Sequence, residues 1–270
     1  MIKGRMNNPI GVFDSGVGGI HIAKEIMTYM PNECIVYFGD TKNIPYGNKS
    51  KDFIIDHSLK IASFLYKKKC KAIVIACNSI ASNALDFIQE KFLKKLLIFN
   101  VIEPIVKNRT LIYSKKIGIM ATPATIRSNF YRKKLKNFYP HLDVVQISVT
   151  PLLAKIIEYG FPDKKINSII RNCLTPFQSI DTLLLGCTHY LFFKKQIDTF
   201  YHGKVHLIDI PRIVVREIKN KLEKKSLLSV NHKFNNKTIF YTSSSISPFF
   251  QKQIEFFFEN AVIKKIFNFF

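Results

Sequence analysis

With 270 residues, 47% hydrophobic and 22% charged, the chain has enough apolar side chain to pack one large domain or two ordinary ones, which excludes bulk disorder. It has no run of eighteen apolar residues and no apolar h-region near Met1, so neither a transmembrane helix nor a secretory signal is expected. The net charge of +22 rests on 34 Lys against seven Arg, scattered in pairs such as Lys133–Lys134 and Lys224–Lys225; it reads as solvated helix faces and a drift toward AT-rich codons, which favour Lys, Ile, Phe and Asn together, and not as a nucleic-acid footprint.

Ile10–Phe13 reads as a strand, followed by the Gly-rich turn Asp14-Ser15-Gly16-Val17-Gly18-Gly19 and a helix from Ile20 to Met30 that Pro31 ends. Cys34–Phe38 is a second strand leading into Gly39-Asp40-Thr41, and Pro45-Tyr46-Gly47 is a loop. A helix spans Ser50 to Lys68, Ala72–Ala76 is a buried strand, and Asn78 opens another helix. This βαβα order predicts a parallel sheet with helices on both faces, and ligands in such sheets sit beyond the carboxyl ends of the strands. Asp14, Asp40 and Cys77 fall at such ends.

The pattern then restarts. Ile117–Met120 is a strand, followed by Ala121-Thr122-Pro123-Ala124-Thr125 and a helix carrying Arg127; Val144–Val149 and Thr182–Leu185 are further strands, the last running into Gly186-Cys187-Thr188-His189. Ile10-Gly11-Val12 matches Ile117-Gly118-Ile119 at an offset of 107, and Ala76-Cys77-Asn78 matches Gly186-Cys187-Thr188 at an offset of 110. Near-equal offsets suggest two similar α/β units with matched cysteines. His206–Ile210 reads as another strand, and the remainder as mainly helical with a strand at Thr238–Thr242.

The five cysteines form no CxxC pair and no zinc-spaced cluster, so neither a disulfide framework nor a metal site is expected, and a reducing cytoplasm is. Cys34, Cys70 and Cys173 read as small hydrophobes. Cys77 and Cys187 differ: each lies between an apolar strand and a polar helix start, where a helix N-terminus lowers a thiol's pKa. His189, two residues beyond Cys187, is placed to exchange protons with the thiol or its substrate. Asp14 either caps the next helix or orients a neighbouring group. Gly16, Gly18 and Gly19 let backbone N–H groups approach an anion, but residue 21 is His and no GK[ST] follows, so a small carboxylate fits better than a nucleotide. Ser79, Thr122, Thr125 and Thr188 either cap helices or converge as hydroxyls on one cleft. Glu158, taken alone, reads as a surface carboxylate, and the Phe-rich stretches Phe249-Phe250 and Phe256–Phe258 read as core. No flavin or nicotinamide fingerprint and no distinguishable pyridoxal-phosphate lysine is present, so the economical chemistry is thiol-based and needs no cofactor. Two thiols on opposite sides of a cleft suit proton removal from one face of a carbon and delivery to the other, that is, racemisation or epimerisation.

Together the motifs resemble those of the glutamate racemases, within the aspartate/glutamate racemase group. The matching pieces are Val12-Phe13-Asp14-Ser15-Gly16-Val17-Gly18-Gly19, Gly39-Asp40-Thr41, Ile44-Pro45-Tyr46-Gly47, Ala76-Cys77-Asn78-Ser79, Ala121-Thr122-Pro123-Ala124-Thr125 and Leu185-Gly186-Cys187-Thr188-His189-Tyr190, in family order. The resemblance implies two facing α/β domains, residues 1–100 with 211–270 and residues 101–210, with the active site in the cleft between them. It implies interconversion of L- and D-glutamate without cofactor or metal, supplying D-glutamate for peptidoglycan. Cys77 is expected to take the proton from D-glutamate and Cys187 from L-glutamate, with Asp14, His189 and Glu158 assisting. Substrate contacts are expected from Asp14, Ser15, Tyr46, Gly47, Asn78, Ser79, Thr188 and His189. Three positions depart from the pattern: Ile80 where Ala is usual, Leu191 where Pro is usual, and Ile210 where Ser is common; none removes a catalytic group. A homodimer and a peptidoglycan-precursor activator are left open by the sequence. The rival from another class is a basic nucleic-acid-associated protein that keeps the fold without the activity.

Overall fold

The computed structural model describes residues 6–149, 152–160, 165–230, 238–258 and 260–270. Its elements begin with β1 (Ile10–Asp14), α1 (Ile20–Tyr29), β2 (Ile35–Gly39), α2 (Lys51–Lys67), β3 (Ala72–Ile75), α3 (Asn78–Lys91) and β4 (Leu97–Asn100). A short α4 (Glu103–Val106) leads to β5 (Lys116–Ala121), α5 (Pro123–Ser128), α6 (Phe130–Phe138), β6 (Asp143–Ser148), α7 (Leu152–Tyr159) and α8 (Ile166–Leu174). Then come β7 (Thr182–Gly186), α9 (Lys194–Tyr201), β8 (His206–Leu207), α10 (Ile210–Lys224), β9 (Ile239–Thr242), α11 (Pro248–Phe257) and β10 (Val262–Lys265).

Among the described residues the strands form two sheets, β10-β9-β2-β1-β3-β4 and β6-β5-β7-β8, and every pairing is parallel. Helices cover both faces, so β1, β2, β3 and β7 are buried along their whole length and read as continuous apolar runs. β1 lies between β2 and β3 with β4 beyond; β5 lies between β6 and β7 with β8 beyond. The repeat seen in the sequence is therefore a repeat of topology, and Cys77 and Cys187 follow the equivalent strands β3 and β7. Parallel registers bring strand exits side by side: Asp14 pairs with Gly39 across β1–β2, and Ala121 with Gly186 across β5–β7.

Local chemistry sets the element boundaries. Ser50 caps α2 through the Phe53 N–H, and the buried face Ile54, Ser58, Ile61, Ala62 and Leu65 follows helical spacing. The strand expected over His206–Ile210 stops at Leu207, because Asp209 caps α10 through the Arg212 N–H and Pro211 sits in its first turn. β4 and β10 went unread: β4 is a four-residue run directly after a lysine-rich stretch, and β10 is largely exposed, so neither shows a clear period. Both returning strands join the first sheet, β9 beside β2 and β10 outside it. Of the Phe-rich segment, Phe250 and Phe258 are core, while Phe256 is 80% exposed, against the expectation.

A buried ion pair fastens the returning segment to the far edge of the first sheet. Lys71, just before β3, meets Glu33 Oε2 at 2.6 Å and donates to the carbonyls of Met6 and Leu227 at 2.6 and 2.7 Å. Burial pulls the Lys71 pKa down, against the pull of Glu33.

Candidate active site

The two sets of strand exits meet. Thr188 Oγ1 donates to Asp14 Oδ2 at 3.0 Å, Ser79 Oγ lies 2.8 Å from Thr122 Oγ1, and the Tyr131 hydroxyl donates to Asn78 Oδ1 at 2.6 Å. Each bond joins a residue of the six-stranded sheet's side to one of the four-stranded sheet's side. Between them lies a narrow, tightly closed cleft, lined by Ser15, Tyr46, Gly47, Cys77, Asn78, Ser79, Cys187, Thr188 and His189, together with Pro45, Thr122 and Ala154. The two thiols, 5% and 6% exposed, both line it, Cys77 from the end of β3 in the six-stranded sheet and Cys187 from the end of β7 in the four-stranded one. Asp14 and Glu158 lie directly behind this lining.

Cys77 is the N-cap residue of α3. Its sulfur donates to Ser15 Oγ at 3.7 Å and makes no capping hydrogen bond, but the Ile80 N–H is near enough to stabilise negative charge on it. That N–H favours a thiolate, as expected at a helix start. Burial outweighs it, and the charges of Asp14 and Cys187 add to burial, so the Cys77 thiol is pushed up to about 12. The expectation of a lowered pKa is thus corrected: the helix end is present, but water is excluded from it. Burial likewise raises the Asp14 carboxyl, against the opposing pull of His189, the Gly16 N–H and the Thr188 hydroxyl.

Cys187 follows β7 and lies beside the His189 ring. His189 Nδ1 lies 3.7 Å from the Cys187 sulfur, and His189 Nε2 lies 2.6 Å from Glu158 Oε1. Burial favours a neutral imidazole, but Cys187 and Glu158 on its two sides outweigh burial and hold its pKa well above the ordinary 6.5. Glu158, on α7, is 3% exposed and also accepts the Val17 N–H at 2.7 Å. The surface reading of Glu158 is therefore wrong. Its helix is buried on the side that carries it, a fact the short sequence Leu152–Tyr159 does not show.

The glycine turn also makes room for the opposite wall of the cleft. A Cβ on Gly16 would lie 1.9 Å from Glu158 Oε1, and one on Gly18 would lie 2.4 Å from Thr188 Oγ1 and 2.9 Å from the His189 backbone nitrogen. The glycines admit the opposite wall of the cleft, and the anion met by a turn N–H is the protein's own Glu158. Asp14 Oδ1 accepts the Gly16 N–H at 2.8 Å, which holds the turn closed.

Comparison with known proteins agrees with this geometry. The Asp/Glu/Hydantoin racemase family model matches residues 22–218. The chain belongs to the Asp/Glu/Hydantoin racemase family. A glutamate racemase of Sulfurihydrogenibium is 38% identical over 217 residues, covering 78% of this chain and 82% of the relative. The structure of a glutamate racemase of Francisella tularensis in complex with D-glutamate superposes with a TM-score of 0.86 at 34% identity, covering 97% of this chain and 98% of that one. A glutamate racemase of Bacillus anthracis superposes with a TM-score of 0.86 at 30% identity, covering 97% and 98%.

Set in this racemase family, the three departures in sequence are accommodated. The Ile80 side chain is fully buried in the core beside the start of α3. Ile210 is the buried first residue of α10, and Leu191 packs against the core beyond the His189 turn. Two residues that fix the cleft lining were not among the expected contacts. Thr122 was visible as a hydroxyl at a helix start, and it both caps α5 and meets Ser79. Tyr131 had no signal, because a Tyr on an amphipathic helix reads as core; its hydroxyl nevertheless fixes the Asn78 amide. The Asn78 Nδ2 donor is buried and has no partner among the described residues, so it is free for a ligand. Among the described residues no group of three His, Cys, Asp or Glu side chains could hold a metal ion, and no helix is long and apolar enough to cross a membrane.

Proposed function

We infer that the protein is a glutamate racemase that uses two thiols and no cofactor, acting in the cytoplasm to supply D-glutamate for peptidoglycan. The observation that supports this reading is that Cys77 and Cys187 follow equivalent strands of two different sheets and line the same cleft. A substrate held between them presents its Cα to one sulfur on each face. The Cys187 thiolate takes the Cα proton of L-glutamate, and the Cys77 thiol gives its own proton to the opposite face; D-glutamate reverses both steps. Burial keeps Cys77 protonated at rest, ready as the donor. The charged His189 ring, held by Glu158, stabilises negative charge on the Cys187 sulfur. Asp14 faces the Cys77 side and is tied across the cleft through Thr188. Ser15, Tyr46, Gly47, Asn78, Ser79 and Thr188 provide the substrate contacts, and the unpartnered Asn78 amide is a donor for the charge that develops as the Cα proton leaves. The Francisella structure, a complex with D-glutamate, supports glutamate as the substrate here.

The test is solvent-deuterium incorporation at Cα of L- and D-glutamate, with circular dichroism following optical activity. No pyridoxal phosphate or metal is added, and L-aspartate is run in parallel. Exchange and loss of optical activity with glutamate alone are expected. Cys77→Ser and Cys187→Ser should each abolish racemisation while the fold persists. Near wild-type turnover in both variants would overturn the two-thiol mechanism, and no exchange in the folded wild type would overturn the function.

A further inference from the structure

A second buried carboxylate, Asp40, stands at the same edge of the six-stranded sheet and is left unused by the reaction above. It directly follows β2 and is fully buried. The Tyr46 hydroxyl donates to its Oδ2 at 2.5 Å, the Ser243 hydroxyl donates to its Oδ1 at 2.5 Å, and the Asn43 amide reaches both oxygens at 3.0 Å. His57 Nδ1, on α2, lies 3.4 Å from Oδ2. A buried carboxylate is tolerated when donors occupy its lone pairs, and here Asn43 and Tyr46 from the following loop and Ser243 from the returning segment do so, with His57 beside them. The His57 ring is itself clamped: Phe53 stacks on it at 3.9 Å and 20°, and Phe270 at 4.0 Å and 27°.

Tyr46 connects this hub to the cleft. Its side chain is buried and its hydroxyl is committed to Asp40, so the Tyr46–Gly47 turn offers the cleft its backbone. On the other side, Gly47 lies so close to the facing wall that a Cβ would be 2.7 Å from Thr122 Cβ. The turn is thus pinned between Asp40 behind it and Thr122 in front.

We propose that Asp40, braced by Ser243 and by the Phe53–His57–Phe270 stack, is a positioning residue that holds the Tyr46–Gly47 turn where its backbone grips a carboxylate of the substrate. The proposal rests on the racemase reading. The thiols stand on other turns, so loosening the hub should weaken substrate binding more than it slows proton transfer. Asp40→Asn and His57→Ala are expected to raise KM for both enantiomers about tenfold with kcat within about threefold, the scale of one lost hydrogen bond. His57→Gln, which keeps a donor, should restore most of the loss. Tyr46→Phe combined with Asp40→Asn should be no worse than either alone, since both cut one link. Hydrogen-exchange mass spectrometry should show faster uptake in the peptide carrying Tyr46 and Gly47, with the peptide carrying Cys77 unchanged. Should Asp40→Asn fail to fold, Ser243→Ala carries the same expectation in both readouts. Unchanged KM and unchanged exchange would overturn the proposal, as would a hundredfold loss of kcat at constant KM, which would make Asp40 a proton carrier. If the wild type exchanges no Cα proton of glutamate, the racemase reading fails, and the hydrogen-exchange comparison still decides whether the hub holds the turn.

Discussion

Replacing Glu158 with Gln tests the charge on which the Cys187 wall depends. The carboxylate and the His189 ring are 3% and 4% exposed and 2.6 Å apart. Two unit charges at that distance attract by roughly 6 kcal/mol at an effective dielectric constant of about 20. Desolvation offsets part of this, and breaking a buried pair outright costs about 3–5 kcal/mol. Gln keeps the side-chain length and an oxygen for the Val17 N–H, so the expected loss is about 2–3 kcal/mol. If that charge stabilises the transition state, kcat falls about 100-fold. The His189 pKa should also fall. Because it lies above its unfolded value, the stability it contributes is fully present below about pH 6.5 and is lost as the pH rises through the folded pKa. Glu158→Gln should therefore remove stability mainly on the acid side of that window and flatten the dependence. NMR titration of the His189 ring nitrogens, urea unfolding across neutral pH and steady-state kinetics measure the three effects. A variant with full activity and a His189 pKa within about half a unit of wild type would refute the reasoning.

Three further outcomes follow from single contacts. Gly18→Ala must push the Cys187–His189 turn back by several tenths of an ångström, because its Cβ meets the His189 backbone nitrogen at 2.9 Å; kcat should drop about 10- to 100-fold with about 1–3 kcal/mol of destabilisation, and wild-type kinetics would contradict this. His21, packed edge-on against Phe192 and Phe257 with its Nε2 unpartnered among the described residues, has its pKa lowered from 6.5 to about 4 by burial and by His189. The unfolded chain then binds more protons between those values, so stability falls as the pH drops through them, by about 2 kcal/mol at pH 5; urea titrations should show His21→Phe losing less stability than wild type between pH 7 and 5, and equal losses would contradict this. Lys71→Ala leaves Glu33 buried without its cation and should cost about 3–5 kcal/mol in urea unfolding, so a loss below about 1 kcal/mol would show that the pair is dispensable.

Several features of the site were legible because they are local. Apolar four- to six-residue runs alternating with amphipathic helices are the mark of parallel sheets buried on both faces, and β1, β3, β5 and β7 stand out for that reason. The position of a polar residue immediately after such a run places it at the edge where these sheets bind ligands, which is how Asp14, Cys77 and Cys187 could be selected without coordinates. β10 could not be selected, since a largely exposed edge strand carries no apolar period.

The amino-acid sequence by itself determined the alternation of strands and helices around the site, the matching of the two cysteines and the turns that carry them, because these depend on residues adjacent in the chain. Tertiary structure alone decided which neighbours those residues meet, because desolvation and cross-cleft contacts depend on what packs against a group from afar. It turned Glu158 from an apparent surface carboxylate into the buried partner of His189. It raised the Cys77 thiol despite its helix start, and it made the glycine turn a seat for the opposite wall of the cleft. It also gathered the Asp40–Tyr46 loop, His57 and Ser243 from three stretches of chain into one hub, which no local pattern encodes.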